Sequence, residues 1–164
     1  MNGVDNSEGR KELFQYWLAE MDDALDRIIA GVPVNEKDLL DYSLDSLTVL
    51  ESYLLHEIGS FKQDADENER AVVDGCARYL GETIRRTIGG EWWLAIDDPD
   101  NVNFGMPVVG GFANDVPPIC PFYVVTASLD RRTGLYLSSV VSNIKMRVDS
   151  GFSDLLAMKR KLGK

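Results

Sequence analysis

The sequence predicts an α+β fold with N-terminal helices, a long central helix, a small antiparallel sheet and C-terminal helices. The first observation is an apolar residue at every fourth position from 72 to 88, which is typical of a helix packed on a core. The second is the pair Gly89-Gly90, because glycine adopts the positive φ angles that end helices. The third is the alternation of side chains over residues 91–97, which indicates a strand.

The predicted central helix carries its charges on the face opposite the apolar stripe. These charged residues are Asp74, Arg78, Glu82, Arg85 and Arg86. Since Glu82 is four residues from both Arg78 and Arg86, we expect it to pair with one of these arginines. Gly81 lies inside the helix at a cost of about 1 kcal/mol relative to alanine. We expect either simple tolerance or the close approach of another backbone at this position.

A long helix is expected at the N-terminal end of the chain. Ser7 is expected to cap it, and the helix runs to about Ala30 before Gly31 ends it. Its stripe of large apolar residues consists of Phe14, Trp17, Leu18, Met21, Leu25 and Ile28. Residues 37–42 form either a strand or a single helical turn.

A second helix is expected from a cap at Ser43 to Ile58. Its buried stripe consists of Leu44, Leu47, Leu50, Leu54 and Ile58. Glu51 lies at the margin of this stripe, where a lone glutamate reaches solvent more often than it meets a buried donor. His56 lies on the polar face and is expected at the surface.

The remaining segments before the C-terminal part are loops and a second strand. Residues 63–70 are expected to form a charged loop, and residues 97–103 a turn cluster between strands. A second extended segment covers residues 104–112. Pro107 places this segment at a sheet edge or a bulge, and Gly110-Gly111 marks a bend.

Residues 122–147 admit two interpretations. Their content of Val, Tyr and Thr is typical of a β-hairpin, whereas the spacing of their apolar residues fits two helices. We favour the helices. Residues 152–162 are expected to form a short basic amphipathic tail of a single domain, 1–164, whose basic part begins at about residue 150.

Length and charge limit the classes of function. The 164 residues fit one domain with a core of its own, and no apolar run reaches the roughly 20 residues of a membrane span. The net charge is −10, with 17 acids against 6 bases in residues 1–70 and 2 against 8 in residues 131–164. Nucleic acid is therefore not expected as a partner. Two cysteines far apart in sequence, Cys76 and Cys120, indicate buried free thiols and a reducing cytoplasm.

Most catalytic and metal-binding classes lack their residues. The single histidine excludes a zinc cluster, and the sequence contains no GxSxG elbow, phosphate-binding loop or dinucleotide fingerprint. Residues 97–103 lack the alternating acids, the central glycine and the closing glutamate of a calcium loop. We therefore predict no catalytic residue, no metal and no cofactor, although paired-acid hydrolysis stays open because carboxylates are plentiful.

One polar constellation remains as a candidate ligand site. It consists of Glu51, Arg78, Glu82, Arg86, Trp92 and Trp93, with Arg85 beside them. Arginines next to an aromatic ring are suited to hold a carboxylate or a phosphate. A solvated face of ion pairs explains the same residues, and we favour that explanation.

Short segments resemble a signature of uncharacterised bacterial domains. Tyr79-Leu80-Gly81-Glu82-Thr83-Ile84 followed by Gly89-Gly90-Glu91-Trp92 is similar to YxGE-x-(V/I)…GGxW. Residues 40–51 are similar to the companion segment LDxS…SL…L(D/E), and Pro121-Phe122 with Val125 and Leu129 is similar to the helix that follows the sheet. The resemblance implies an α+β fold with helices before a small sheet, carries no activity, and marks Gly81, Glu82 and Trp92 as the positions of interest.

Three functional hypotheses follow. The leading one is a non-catalytic protein-interaction module that captures a basic partner, as a toxin-neutralising immunity protein of a bacterial conflict system does. The alternative is a small-ligand binder or an enzyme that uses Glu82 with Arg78, Arg86 and Glu51. The third is a housekeeping homodimer with Trp93 and Phe104 at a symmetric interface, so both a monomer and a homodimer stay open.

Overall fold

The structure, a computed structural model, describes residues 6–162, and within the last helix it does not describe the side chains of residues 152–155. The predicted fold class is confirmed: the described chain is mostly helical, with a two-stranded antiparallel sheet between the central helix and the C-terminal helices. The elements are α1 (Ser7–Ala19), α2 (Met21–Gly31), a 3-10 turn (Lys37–Leu39), α3 (Ser46–Glu57), α4 (Glu67–Thr87), β1 (Glu91–Leu94), β2 (Pro107–Gly110), α5 (Pro121–Arg131) and α6 (Tyr136–Leu162). The single-domain interpretation of residues 1–164 stays a prediction, and its two ends lie outside the described residues.

Helix α4 begins earlier than expected. Residues 67–70 belong to the helix and not to the preceding loop. The Asp66 side chain accepts a hydrogen bond from the Glu69 backbone N–H, and the Glu69 side chain accepts one from the Asp66 backbone N–H. This reciprocal capping satisfies two donors that the first turn of a helix leaves without partners.

The core surrounds α4, which packs against α2, α3 and α5. The expected apolar stripe of α3 is buried at Leu47, Leu50, Leu54 and Ile58. The α4 stripe is buried as expected at Val72, Cys76, Leu80 and Ile84. However, every residue of α4 from 72 to 84 except Asp74 is buried. The expectation of a solvated charged face on this helix was therefore wrong for Arg78 and Glu82, whereas Arg85 and Arg86 are exposed as expected.

The N-terminal helix is divided in two. The backbone of Glu20 leaves helical geometry, with φ −86° and ψ 6°, and α2 begins at the next residue. The change of direction allows Trp17 of α1 to contact α4 while Leu25 and Ile28 of α2 are buried in the same core. The N-cap position is Asn6, one residue before the expected Ser7.

The segment between α2 and α3 folds as a helical turn and not as a strand, since residues 37–39 form the 3-10 turn. α3 begins at Ser46, and its N-cap position is Asp45 and not the expected Ser43. The Ser43 hydroxyl nevertheless accepts a hydrogen bond from the Ser46 backbone N–H. His56 is exposed, as predicted, beside Glu57.

The sheet consists of β1 and β2 in antiparallel register, with Trp92 opposite Val109 and Leu94 opposite Pro107. Pro107 is the first residue of its strand, in agreement with the expected edge position. Gly90 adopts φ +93°, and a Cβ atom there would lie 2.5 Å from the Gly110 carbonyl oxygen. The glycine between α4 and β1 is therefore required by both conformation and space.

The C-terminal part is helical, so the preferred interpretation of residues 122–147 is confirmed. Pro121 is the first residue of α5, where its missing N–H costs nothing. Arg132 follows in a left-handed conformation, and its guanidinium donates to the carbonyl oxygens of Leu55, Ile58 and Gly59 at the end of α3. The expected basic tail is the last part of α6, and the side chains of its residues 152–155 lie outside the described residues.

Gly81 is close to an aromatic ring and not to another backbone. A Cβ atom built on Gly81 would lie 2.0 Å from Cζ2 and 2.2 Å from Cη2 of Trp92. The expectation of a neighbouring backbone was therefore wrong. The missing side chain allows the indole of Trp92 to contact α4 at Gly81, which a methyl group would prevent.

We expect Gly81→Ala to destabilise the protein, although alanine stabilises a helix by about 1 kcal/mol relative to glycine. The new methyl group displaces the Trp92 ring, and overpacking of this kind typically costs 1–3 kcal/mol. Urea unfolding measures the change. Gly59→Ala is the matched control, because a Cβ atom at Gly59 meets nothing within 4 Å. Equal stability of the two variants would contradict the tight contact.

Candidate functional site

Arg78 lies at the junction of α1 and α4 and is 2% exposed. Its Nε donates to Asp74 Oδ2 over 2.7 Å, and its Nη1 donates to the backbone carbonyl oxygen of Trp17. The guanidinium lies over the Trp17 ring, 4.1 Å from the ring centroid, and Trp17 Nε1 donates to the other oxygen of Asp74. Burial of this charge is therefore compensated by a carboxylate, a carbonyl oxygen and a π face.

Glu82 lies one turn further along α4 and is 9% exposed. Its Oε1 accepts hydrogen bonds from Trp92 Nε1 over 2.8 Å and from Arg85 Nη1 over 2.9 Å. The expected pairing with Arg78 or Arg86 was wrong, because the indole of β1 holds the carboxylate on the side of Arg85. Glu82 thus joins the start of the sheet to the central helix.

Arg86 belongs to a separate stack of side chains. Its guanidinium lies 3.6 Å from the centroid of the Tyr42 ring, and the other neighbour of Tyr42 is the parallel ring of Tyr79, at 4.5 Å. Tyr42 has φ +61°, which is uncommon for a residue other than glycine. Its backbone N–H donates to Tyr79 Oη, which in turn donates to Ser46 Oγ.

The Tyr42 ring lies in a mixed electrostatic environment. Burial is the main cause that raises the pKa of Tyr42, and the positive charge of Arg86 lowers it. The negative charges of Glu82, Asp26 and Asp22 raise the pKa further. Carboxylates of α2 and α4 therefore lie near the stack of Arg86 on Tyr42.

Glu51 is fully buried, so its expected exposure to solvent was wrong. Its Oε2 accepts a hydrogen bond of 2.9 Å from the backbone N–H of Leu137, in the first turn of α6. Its Oε1 has no hydrogen-bond partner within the described part of the chain. Because the N-terminal end of a helix has free donors and a positive partial charge, the carboxylate caps α6 from α3. Glu51 is thus apart from the arginines of α4.

The two tryptophans of β1 have different surroundings, because successive side chains of a strand point to opposite faces. Trp92 contacts Gly81, Glu82 and the edge of the Trp17 ring. Trp93 covers Gly110 of β2, where a Cβ atom would lie 2.4 Å from its Cη2. Of the six candidate residues, Glu82 and Trp92 are in direct contact; Arg78 meets Trp92 only through the Trp17 ring.

Sequence reasoning did not identify Trp17, Asp74 and Tyr42 as partners of the α4 arginines. Asp74 is four residues before Arg78, and this spacing is the local signal from which the pair could have been predicted. Trp17 and Tyr42 are separated from their arginines by 61 and 44 positions in the sequence, and no local pattern indicates such contacts.

Both thiols are poorly suited to nucleophilic chemistry. Cys76 and Cys120 are free and buried, as predicted. Burial raises the pKa of each thiol above its ordinary value, and the negative charge of Asp74 adds to the effect at Cys76. The neutral thiol therefore predominates at neutral pH, and the thiolate is the reactive form.

Residues 6–162 contain neither a cluster of metal ligands nor a membrane-spanning helix. No three His, Cys, Asp or Glu side chains within residues 6–162 converge in a way that would hold a metal ion. None of the helices in the same range combines the length and apolar character needed to cross a bilayer.

Comparison of the chain with protein-family models, with curated protein sequences and with solved structures found no match. The resemblance to the bacterial signature at residues 79–92 stays a prediction. The structure places its Gly81, Glu82 and Trp92 in mutual contact.

We expect Arg78→Met to destabilise the junction of α1 and α4. The change leaves Asp74 and the Trp17 carbonyl oxygen without their charged donor, and the loss of such hydrogen bonds typically costs about 1–3 kcal/mol. Amide hydrogen exchange measures the effect, which should be largest in α1 because Arg78 binds the α1 backbone and orients Asp74, the acceptor of Trp17 Nε1. Arg147→Met is the control, because this substitution removes the same charge from an exposed residue of α6. Unchanged exchange in α1 would show that the cluster does not hold this helix.

We expect stability to fall in alkaline solution. Burial is the main cause that raises the pKa values of Cys76, Cys120, Tyr42, Tyr53 and Tyr79. The native state binds these protons more tightly than the unfolded chain, so their contribution is complete below the unfolded pKa values and is lost as pH rises above about 9. Urea unfolding across that range measures the slope. Cys76→Ala should have a shallower slope, and an identical slope would refute this role for the thiol.

Proposed function

We propose that this protein is a non-catalytic interaction module that binds a basic protein partner through an acidic face on α2 and the segment before α3. The acidic face consists of Asp22, Asp26 and Asp41 around Arg86 and Tyr42. The observation that carries the proposal is the exposed guanidinium of Arg86, stacked on Tyr42 among these carboxylates.

The centre of the acidic face is rigid. Tyr42 is fixed by its backbone hydrogen bond to Tyr79 Oη, by the Tyr79 ring and by the Arg86 guanidinium. A residue other than glycine in a left-handed conformation stores about 1–3 kcal/mol of strain, and such residues cluster at functional sites. Tyrosine and arginine are also enriched among the residues that contribute most to protein–protein binding. A partner that docks here meets an anchor that needs little ordering.

Charge favours a basic partner. Five exposed carboxylates of α1, α2 and the residue between them form no ion pair with another described residue: Glu12, Glu20, Asp22, Asp23 and Asp26. Unpaired charges of one sign steer a partner of the opposite sign and raise the rate of association. An immunity protein that neutralises a basic toxin is the function of this kind that we propose, in the cytoplasm where such capture takes place.

The alternative hypothesis used Glu82 with Arg78, Arg86 and Glu51 to bind a small ligand or to catalyse a reaction. Arg78 and Glu82 direct their polar atoms to partners within the chain, and Glu51 Oε2 accepts from α6. Arg86 lies apart from them on Tyr42. No contact of these residues favours a substrate over the intramolecular partners. We therefore do not propose this alternative, and the hypothesis of a dimer through Trp93 and Phe104 stays a prediction.

The test is capture of a stoichiometric partner on the immobilised protein from a lysate of the source cell, followed by binding measurements with the purified partner. We expect the double variant Asp22→Lys, Asp26→Lys to bind at least about tenfold more weakly, because it replaces attraction with repulsion. Arg86→Met should weaken binding to a similar extent if the stack is the anchor. The affinity of the unmodified protein should decrease as salt is added.

The matched control is Glu91→Lys, Asp100→Lys, which makes the same change of charge at two exposed residues outside the acidic face. It should retain most of the affinity. The proposal fails if no stoichiometric partner is captured, or if the two double variants lose affinity equally.

A further inference from the structure

An apolar groove runs between α1 and the sheet. Two cavities of about 290 and 210 Å³ lie side by side, because both include Trp17 and Pro107 in their walls. We call the two together the α1 groove, and its principal walls are Phe14, Trp17, Trp92, Leu94, Pro107 and Phe122. A pocket of this size that is lined by aromatic rings and contains few polar groups is typical of a binding site for a small molecule.

Arg10 lies at one end of the α1 groove and has an unusual environment. Its guanidinium lies 5.0 Å from the centroid of the Phe104 ring, and its Nη1 is so close to Gly105 that a Cβ atom there would be 2.8 Å away. Among the described residues, the guanidinium has no hydrogen-bond acceptor and no carboxylate within 4.0 Å. The half-buried cation is thus positioned by a ring and a glycine, while its N–H donors stay available.

We propose that the α1 groove binds a monocarboxylate with an apolar tail, such as a medium-chain fatty acid. The planar guanidinium of Arg10 donates two parallel hydrogen bonds to the carboxylate head. The tail lies along α1 from Phe14 to Trp17 and ends between Trp92 and Phe122. Arg10 and Trp17 are seven residues apart, so the head and the middle of the tail are separated by roughly 10 Å along the helix.

The charges around the α1 groove favour a single negative charge on the ligand. Asp97 lies in a neighbouring cavity that also includes Arg10 and Phe104. Asp74 lines the cavity that holds the tail, where its two oxygens accept hydrogen bonds from Trp17 and Arg78. The chain as a whole carries a net charge of −10. These negative charges oppose an anion with two or more charges. A single carboxylate is compensated by Arg10, and burial of the tail contributes roughly 25 cal/mol for each Å² of apolar surface removed from water.

This site does not depend on the proposed capture of a basic protein. It uses none of the residues of the acidic face, and its ligand has the opposite charge. Ligand binding in the α1 groove and partner binding at the acidic face can therefore be tested separately.

The test is isothermal titration of the full chain with sodium decanoate below its micellar concentration, with tryptophan fluorescence as a second readout because Trp17 and Trp92 line the groove. Decanoate should bind, and acetate, which has the head without the tail, should not. Arg10→Met should weaken decanoate binding at least about tenfold and leave binding of decanol nearly unchanged. Lys11→Met is the matched control: it removes the same charge from the next residue, whose Nζ pairs with Glu8 outside the groove.

A second variant tests the tail and does not depend on the guanidinium. Leu13 lines the groove but is 70% exposed, so Leu13→Glu does not disturb the core. It should abolish decanoate binding by placing a carboxylate beside the tail. Val34→Glu makes the same change at an exposed position far from the groove in sequence and should bind as the unmodified chain does. The proposal is overturned if decanoate does not bind, or if Arg10→Met and Leu13→Glu bind it as well as their controls.

Discussion

The burial of the middle of α4 is the constraint on which the rest of the structure depends. From residue 72 to residue 84 only Asp74 is not buried, so almost every side chain in this part of the helix has to match a neighbouring element. Gly81 meets this requirement by having no side chain, which allows the Trp92 ring to lie against the helix backbone. This contact and the hydrogen bond of the same indole to Glu82 attach β1 to the helical core, and the buried Val109 attaches β2.

Burial also explains the roles of the charged residues on α4. A buried charge is tolerated only with partners that replace water. Arg78 obtains them from Asp74 and from α1, and Glu82 obtains them from Arg85 and β1. These residues therefore join elements to one another, and their charge is not evidence for a ligand.

Arginine over an aromatic ring occurs at four places in the described chain, and the four differ in what else the guanidinium contacts. The pairs are Arg10–Phe104, Arg78–Trp17, Arg86–Tyr42 and Arg131–Tyr136. The N–H groups of Arg78 donate to Asp74 and to the Trp17 carbonyl oxygen, so this stack stabilises the fold. In Arg10 and Arg86 the ring fixes the cation, while no acceptor among the described residues uses its N–H groups. The same local arrangement thus serves packing at Arg78 and leaves a positioned donor at the surface at Arg10 and Arg86. Glu82 interacts with a residue of each surface: its negative charge raises the pKa of Tyr42 in the acidic face, and its carboxylate accepts a hydrogen bond from Trp92 in the α1 groove.

The sequence by itself determined the elements whose signals are local. The four-residue period of α4, the glycines at 89 and 90, and the spacing of apolar residues in 122–147 depend only on neighbours along the chain, and each is confirmed. Tertiary structure decided the environment of the charged residues. Glu51 caps a helix that begins 85 residues later, and Arg86 lies on a tyrosine 44 residues earlier. Exposure of a side chain is set by what packs over it, and a helix that is covered by elements from both ends of the chain has no pattern in its own sequence that reveals the cover.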